Sequence, residues 1–460
     1  MRDARLGLLA AALALLFALG CGSGSAAVPD GGAGDAAPAA DAARADAPRL
    51  DAAPADGPVA TTDLARLRAL VAALPGASGA AARDALVDAF VTVVAYGEHG
   101  FPIREEGQLG VALRDSGGGS LTVAGDFNGW DAAALPLIQP VPGYPFYYRI
   151  TPITEPLPRT LYKLVRNGAE WFADPLARRF GWDANGQYAL AEAGDAASHL
   201  ERWPRFAEGV GALEPRTVTV YVPAGYVADA TPRPVLYMHD GQNLFDPAAF
   251  WGGWHVGDTA DAHIAGGQIQ SLLIVGVDNT AARFDEYTHV QDDLTGTTTG
   301  GRGDEYLDFI VTGVKPFVDA RYRTATGPAT TGVLGSSLGG LISFYAAYLH
   351  PEVFGHAASM SGTFVWGRGL GNPTMMDLVA ADPPTGVALY LDSGGDPPCP
   401  TTAESNDNYC ETIEMADTLR GQGWADGTDL FYRWTSGAQH NEAAWAARLP
   451  AALTEWFPGP

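Results

Sequence analysis

The chain has 460 residues, 47% hydrophobic and 18% charged, which is enough for two or three domains at roughly 150 residues each. Its 53 acidic residues against 28 basic ones give a formal charge of −25. No basic stripe is present to neutralise phosphates, which argues against nucleic acid as a partner.

The N-terminus comes first. Arg2 and Arg5 precede an unbroken apolar run from Leu6 to Gly20, shorter than the roughly 20 residues of a spanning helix, so residues 1–20 read as a signal peptide. Ala18-Leu19-Gly20-Cys21 resembles the lipobox of bacterial lipoproteins, which implies acylation of Cys21; the alternative is an ordinary secretory signal with a chance cysteine. Residues 21–60 are dominated by Ala, Pro, Gly and Asp, so they read as a disordered tether with almost nothing to place in a core. A lipid-anchored protein of a bacterial cell envelope is expected, facing the periplasm or the outside, with the anchor as its one contact to the membrane. Outside the cytoplasm, Cys399 and Cys410 most simply form a disulfide; two free thiols or half of a metal site are the alternatives.

Residues 61–100 carry a helical pattern. Leu64, Leu67, Val71 and Leu74 share a face, Pro75-Gly76 breaks it, and Leu86, Phe90, Val93 and Val94 resume it, predicting a helical hairpin. Residues 101–198 hold short alternating runs such as GQLGVALRD, SLTVAGDFNGWD and TLYKLVRNG, bounded by Gly, Pro or Asn, which predict a small immunoglobulin-like β-sandwich. From residue 213 to 457 hydrophobic strands alternate with helices, predicting an α/β domain with a doubly wound, mostly parallel sheet.

Within that domain, TTGVL runs into Gly335-Ser336-Ser337-Leu338-Gly339, with an amphipathic helix directly behind. This is the strand, sharp turn and helix of a G-x-S-x-G nucleophile elbow, with Ser337 central. Glycines on either side let strand and helix pass closely, and the helix N-terminus faces a developing oxyanion. A serine nucleophile needs a base and the base an orienter, in the chain order Ser, acid, His. His440 lies in a loop before the terminal helix, whereas His350 and His356 fall in or just after the elbow's own helix, so His440 is the expected base. Asp392 and Asp396 both follow the strand GVALYL as candidate acids. No HExxH, paired Cys/His zinc spacing or phosphate loop occurs, so neither a metal nor a cofactor is expected.

The segments VLYMHDGQNLFDP, SLLIVGVDNTAARFDEYT, YLDFIVTGVKPFVDARYRT, GSSLGG and GAQHNEAAW together resemble the putative-esterase family of α/β-hydrolases. That family includes feruloyl and acetylxylan esterases, enterochelin esterase, S-formylglutathione hydrolase and mycolyltransferases. The resemblance implies a serine carboxylesterase and favours Asp396 over Asp392, because the family's acid ends a short glycine turn. It also implies an oxyanion hole built from the backbone N–H groups of Leu338 and Gln242. Asp240, Trp254, Arg283 and Glu286, with Tyr287, match segments that line the active-site mouth in relatives; a loop-anchoring salt bridge and a packing aromatic are the alternative readings. His239 precedes the nucleophile on a core strand and reads as structural. SLTVAGDFNGWD with YKLVRNGAEWFADP resembles the glycogen-binding type of sandwich, which implies sugar stacking on Trp130 and Trp171 or, alternatively, a module that only packs on the catalytic domain. The expected substrate is an acyl or feruloyl ester of polysaccharide. A siderophore ester, acyl transfer to a sugar, and a non-catalytic glycan binder are the alternatives.

Overall fold

The computed structural model describes residues 61–399 and 406–460, apart from the Trp251 side chain. The expected signal peptide, tether and Cys21 lie outside these residues. Helices α1 (Asp63–Ala73) and α2 (Ala80–Tyr96) form the expected hairpin around Pro75-Gly76. Leu64, Leu67, Leu70, Val87, Phe90 and Val94 are buried between these helices and a three-stranded sheet. That sheet is formed by β1 (Ile103–Glu105), β2 (Gln108–Arg114) and, beyond β3 (Leu121–Gly125), β4 (Phe146–Pro152), in the order β1-β2-β4.

The period of two along β2 decides what each face meets. Ala112 turns toward the helices, and Gly110 has no room for a side chain there, since a Cβ would lie 3.2 Å from Ile103 Cβ and 3.3 Å from Leu67 Cδ2. Leu109, Val111 and Leu113 turn the other way and pack on Leu121 and Val123 of β3 and on Tyr162 and Leu164 of β5 (Thr160–Arg166). This is the sandwich read from the sequence.

The second layer of the sandwich does not stop at its own edge. It consists of β3, β5, β6 (Glu170–Phe172), β7 (Arg179–Asp183) and β8 (Gly186–Glu192), and continues through β9 (His199–Phe206) and β10 (Arg216–Val222). Beyond these lie β11 (Val235–His239), β12 (Leu273–Val277), β15 (Thr331–Ser336), β16 (His356–Met360), β17 (Ala388–Ser393) and β18 (Leu430–Trp434). Among the described residues thirteen strands thus make one sheet, ordered β3-β5-β8-β7-β9-β10-β12-β11-β15-β16-β17-β18 with β6 on β5. Position 213, where the α/β domain was expected to begin, falls between β9 and β10, which are hydrogen-bonded to each other.

From β12 to β18 the neighbours are parallel. Both faces of this half are covered, which is why its strands read as continuous hydrophobic runs. On one face α3 (Val256–Ala265) and α10 (Glu442–Trp456) bury Leu236, Ile274, Leu334, Ala358 and Tyr390. On the other, α5 (Gly303–Phe309), α6 (Lys315–Arg321), α7 (Leu338–Leu349) and α9 (Tyr409–Gly421) bury Tyr237, Val275, Val333, Ala357 and Leu389. The single-turn helix α4 (Arg283–Glu286), the hairpin β13 (Gln291–Leu294) and β14 (Thr297–Gly300), and α8 (Met375–Ala381) occupy the remaining connections. The loops after β11, β15, β16 and β17 all emerge at the carboxyl end of the parallel strands, where open α/β sheets place their sites.

Candidate active site

At the end of β15, Ser337 adopts φ 57° and ψ −122° immediately before α7. A side-chain-bearing residue in such a conformation costs about 1–3 kcal/mol and persists only where its surroundings over-determine it. Here the Ser337 N–H donates to the Met360 carbonyl at 3.0 Å, and its own carbonyl accepts from Leu341 N–H at 3.0 Å and Thr363 N–H at 3.3 Å. The flanking glycines are steric requirements: a Cβ on Gly335 would stand 2.5 Å from the Gly339 carbonyl oxygen, and one on Gly340 would stand 2.7 Å from Ser359 Oγ.

The loop after β11 lies against this elbow, since a Cβ on Gly339 would be 3.3 Å from Asp240 Oδ2. Asp240 sits at φ 58° and opens the short turn Gly241–Asn243, whose exposed member is Gln242. Arg283 grips the Asp240 carboxylate with two bonds, Nε to Oδ1 at 2.7 Å and Nη2 to Oδ2 at 2.9 Å, and Asn279 Nδ2 adds a third at 2.6 Å. Burial works to raise the Asp240 carboxyl, but the Arg283 guanidinium outweighs it and holds the group below the usual carboxylate range. Behind this pair Arg216 makes a second buried fork to Glu286, at 2.7 and 3.0 Å. Asp240, Arg283 and Glu286 are therefore buried in ion pairs that pin the loop, instead of lining the mouth as the family resemblance implied. Trp254 departs from its expected rim position in the same way: it is buried, and its ring stacks on Trp445 at 5.8 Å. His239 is buried with Nδ1 2.8 Å from the Tyr306 hydroxyl, and burial pushes it down to about 4, so it stays neutral.

The acid beside His440 is one that the sequence did not single out. His440 Nδ1 lies 2.8 Å from Oδ1 of Asp407, whose side chain is fully buried while that of His440 is about a third exposed. Oδ2 of Asp407 accepts from the Gly394 backbone N–H and, at 3.0 Å, from Arg448 Nη1. Asp396 is instead exposed, with its carboxylate on the Ser436 hydroxyl. Asp392 is fully buried, 3.4 Å from Arg448 Nε, and burial pushes its carboxyl up to about 7.

The glycine turn explains the exchange. A Cβ on Gly394 would stand 2.6 Å from Asp407 Oδ2 and 2.2 Å from the Ala438 carbonyl oxygen, and one on Gly395, at φ 68°, would collide with Asn406. The two glycines clear space for residues 406–407 and for the His440 loop, and so bring in an acid from further along the chain. One signal in the sequence was available, because Asp407 lies between the strand and the next helix and keeps the order Ser, acid, His. Cys399 and Cys410 are joined in a disulfide, and Asp407 lies inside the loop it closes.

The His440 and Ser337 segments meet at the turn after β16. Ser361 Oγ accepts from Trp445 Nε1 at 3.0 Å and from Arg448 Nη2 at 2.9 Å. The edge of Trp445 also meets the His440 ring, with centroids 4.9 Å apart. Far along the sheet, Trp130 and Trp171 lie side by side with centroids 6.2 Å apart, Trp171 exposed and the Trp130 indole N–H donating to Asp126.

The parallel sheet, the elbow and the loops gathered at its carboxyl end define an α/β-hydrolase. The family described as "Putative esterase" matches residues 213–456, just over half of the chain, and the protein belongs to that family. YbbA of Bacillus subtilis (strain 168), described as uncharacterised, is 24% identical over 249 residues, covering 53% of this chain and 93% of that protein. The siderophore triacetylfusarinine C esterase of Aspergillus fumigatus is 31% identical over 140 residues, covering 29% of this chain and 46% of that enzyme, so the match spans under half of it. Among solved structures, a ferulic acid esterase aligns at 19% identity and a TM-score of 0.43, over 56% of this chain and 97% of its own. The enterobactin esterase of Shigella flexneri aligns at 16% identity and a TM-score of 0.43, over 78% of this chain and 97% of its own.

Proposed function

We propose that the protein is a serine carboxylesterase with Ser337 as nucleophile, His440 as base and Asp407 as orienter. The observation that carries this reading is the 2.8 Å approach of His440 Nδ1 to a fully buried carboxylate, in a chain that also carries a strained serine elbow. A buried acid against Nδ1 fixes the tautomer that leaves Nε2 free to accept a proton. Ser337 Oγ bonds to the ester carbonyl carbon as His440 takes its proton, and the carbonyl electron pair moves onto oxygen. The N–H groups of Leu338 and Gln242 hold that oxyanion with dipoles that need no reorganisation. Collapse expels the alkoxide, which His440 protonates, and a water repeats the steps to release the acid and free Ser337.

Polysaccharide-linked acyl or feruloyl esters are the proposed substrates, supported by the paired, part-exposed rings of Trp130 and Trp171. A siderophore ester is the second reading, supported by the fungal relative's activity. The apolar run before Cys21 and the Cys399–Cys410 disulfide support a place in the cell envelope, with lipid on Cys21 as the anchor.

The test is hydrolysis of p-nitrophenyl acetate, p-nitrophenyl butyrate, methyl ferulate and feruloylated xylan beside Ser337→Ala and a Trp130→Ala, Trp171→Ala double variant. The expected result is turnover that vanishes in the serine variant and, on the polymer alone, a raised KM in the tryptophan variant. Turnover that survives Ser337→Ala contradicts the mechanism, and equal KM values on the polymer contradict the sugar-binding role.

A further inference from the structure

We propose that Arg448 is a positioning residue of this centre: its guanidinium locks Asp407 against His440 and ties both to the turn that holds the Ser337 elbow. The assignment rests on the esterase reading above. Arg448 is buried and sits one helical turn beyond Trp445 on α10, the helix that His440 precedes by two residues. Its three nitrogens address two loops and the end of β17. Nη1 donates to Asp407 Oδ2 at 3.0 Å, Nη2 to Ser361 Oγ at 2.9 Å, and Nε faces Asp392 Oδ1 at 3.4 Å without a hydrogen bond. Ser361 is in turn tied to the acid's segment, because Asn408 Nδ2 donates to its carbonyl at 2.8 Å, and Thr363 of the same turn donates to the Ser337 carbonyl.

Two carboxylates thus flank one guanidinium, and the geometry decides between them. Asp407 receives an Arg448 bond and the Gly394 N–H, leaving Oδ1 to the imidazole. Asp392 lies off-line, and its burial favours the neutral form near pH 7, which leaves the arginine's charge to Asp407. The other groups facing this cluster are Tyr390, 3.5 Å from Asp392 Oδ2 on the same strand, and His440 itself. Arg433, paired across from Asp392 on β18, acts on Tyr390 and is engaged with Glu455.

Arg448→Lys is the test, because lysine keeps the charge but loses the fork that reaches several partners at once. Misplacement of a catalytic group by about an ångström costs about a hundredfold. The expected result is therefore kcat lowered about a hundredfold at unchanged KM, with cooperative melting retained.

A folded variant with wild-type kcat, or one whose loss falls on KM instead of kcat, overturns the assignment. If Arg448→Lys does not melt cooperatively, the Asp392→Asn, Arg448→Gln double variant removes the guanidinium while leaving amides at both buried positions. That double variant, folded, should show the same loss of kcat, and full activity in it overturns the assignment. Failure of both variants to fold makes Arg448 a folding residue and overturns the assignment too. An unmodified protein with no turnover and no reaction with a fluorophosphonate overturns the esterase reading itself, whereas an active enzyme indifferent to Arg448 overturns only the positioning role.

Discussion

A carboxylate orients an imidazole only where it is dry, ionised and already aimed. Asp407 is buried and held in place by the Gly394 N–H and an Arg448 bond, whereas Asp396 is exposed and turned to Ser436. Asp407→Asn is therefore expected to lower kcat about 10⁴-fold, as losing the orienting carboxylate does in other triads. Asp396→Asn, a surface change, should shift stability by no more than about 0.5 kcal/mol and leave kcat near that of the unmodified enzyme. Steady-state rates on one p-nitrophenyl ester decide the matter, and the reverse ranking would return the role to Asp396. The strained turn at Ser337 and the start of α7 at Leu338 obey local rules that a sequence displays, and His440 was singled out by chain order. Asp407 was not singled out, because its place beside His440 comes from contacts with Gly394 and Arg448, which lie far from it along the chain.

At the scale of elements, the glycine turn after β17 was legible as a turn, but its purpose was misread. It presents no carboxylate of its own; it clears space for the incoming segment at residues 406–407. Beside the loop after β11, Arg283 and Glu286 could be read as lining the mouth or as anchoring the loop, and the structure favours the second of these readings. A bidentate pair with nearly all of its surface buried belongs to the scaffold, and which residue partners which is not marked in a linear pattern. The disulfide was legible from compartment and spacing, and in the fold it closes the loop that carries Asp407 three residues before Cys410. Replacing both cysteines by serine should cost about 2–4 kcal/mol of stability and lower kcat more than it raises KM, because the acid loses its tether. Melting curves and steady-state kinetics under oxidising conditions check this, and an unchanged kcat would show that Gly394 and Arg448 alone hold Asp407.

Across the whole molecule, the sequence divides into hairpin, sandwich and α/β domain, and the hydrophobic periods that produced this division are present in the helices and strands. The joins were not legible. Strand β9 pairs with β7 on the sandwich side and β10 on the other, so a single sheet runs from the strands near Trp130 and Trp171 to the parallel strands beside Ser337. Hydrogen bonding between strand edges leaves no mark in composition, because every backbone offers the same donors and acceptors. That sheet fixes the catalytic loops on one scaffold, and the central claim is that they assemble one reactive serine. The most direct test is to treat the protein with a fluorophosphonate and map the adduct by mass spectrometry, with His440→Ala alongside. The account predicts a single stoichiometric adduct on Ser337, formed far more slowly without His440. No adduct on the folded protein, or one on another residue, would contradict it.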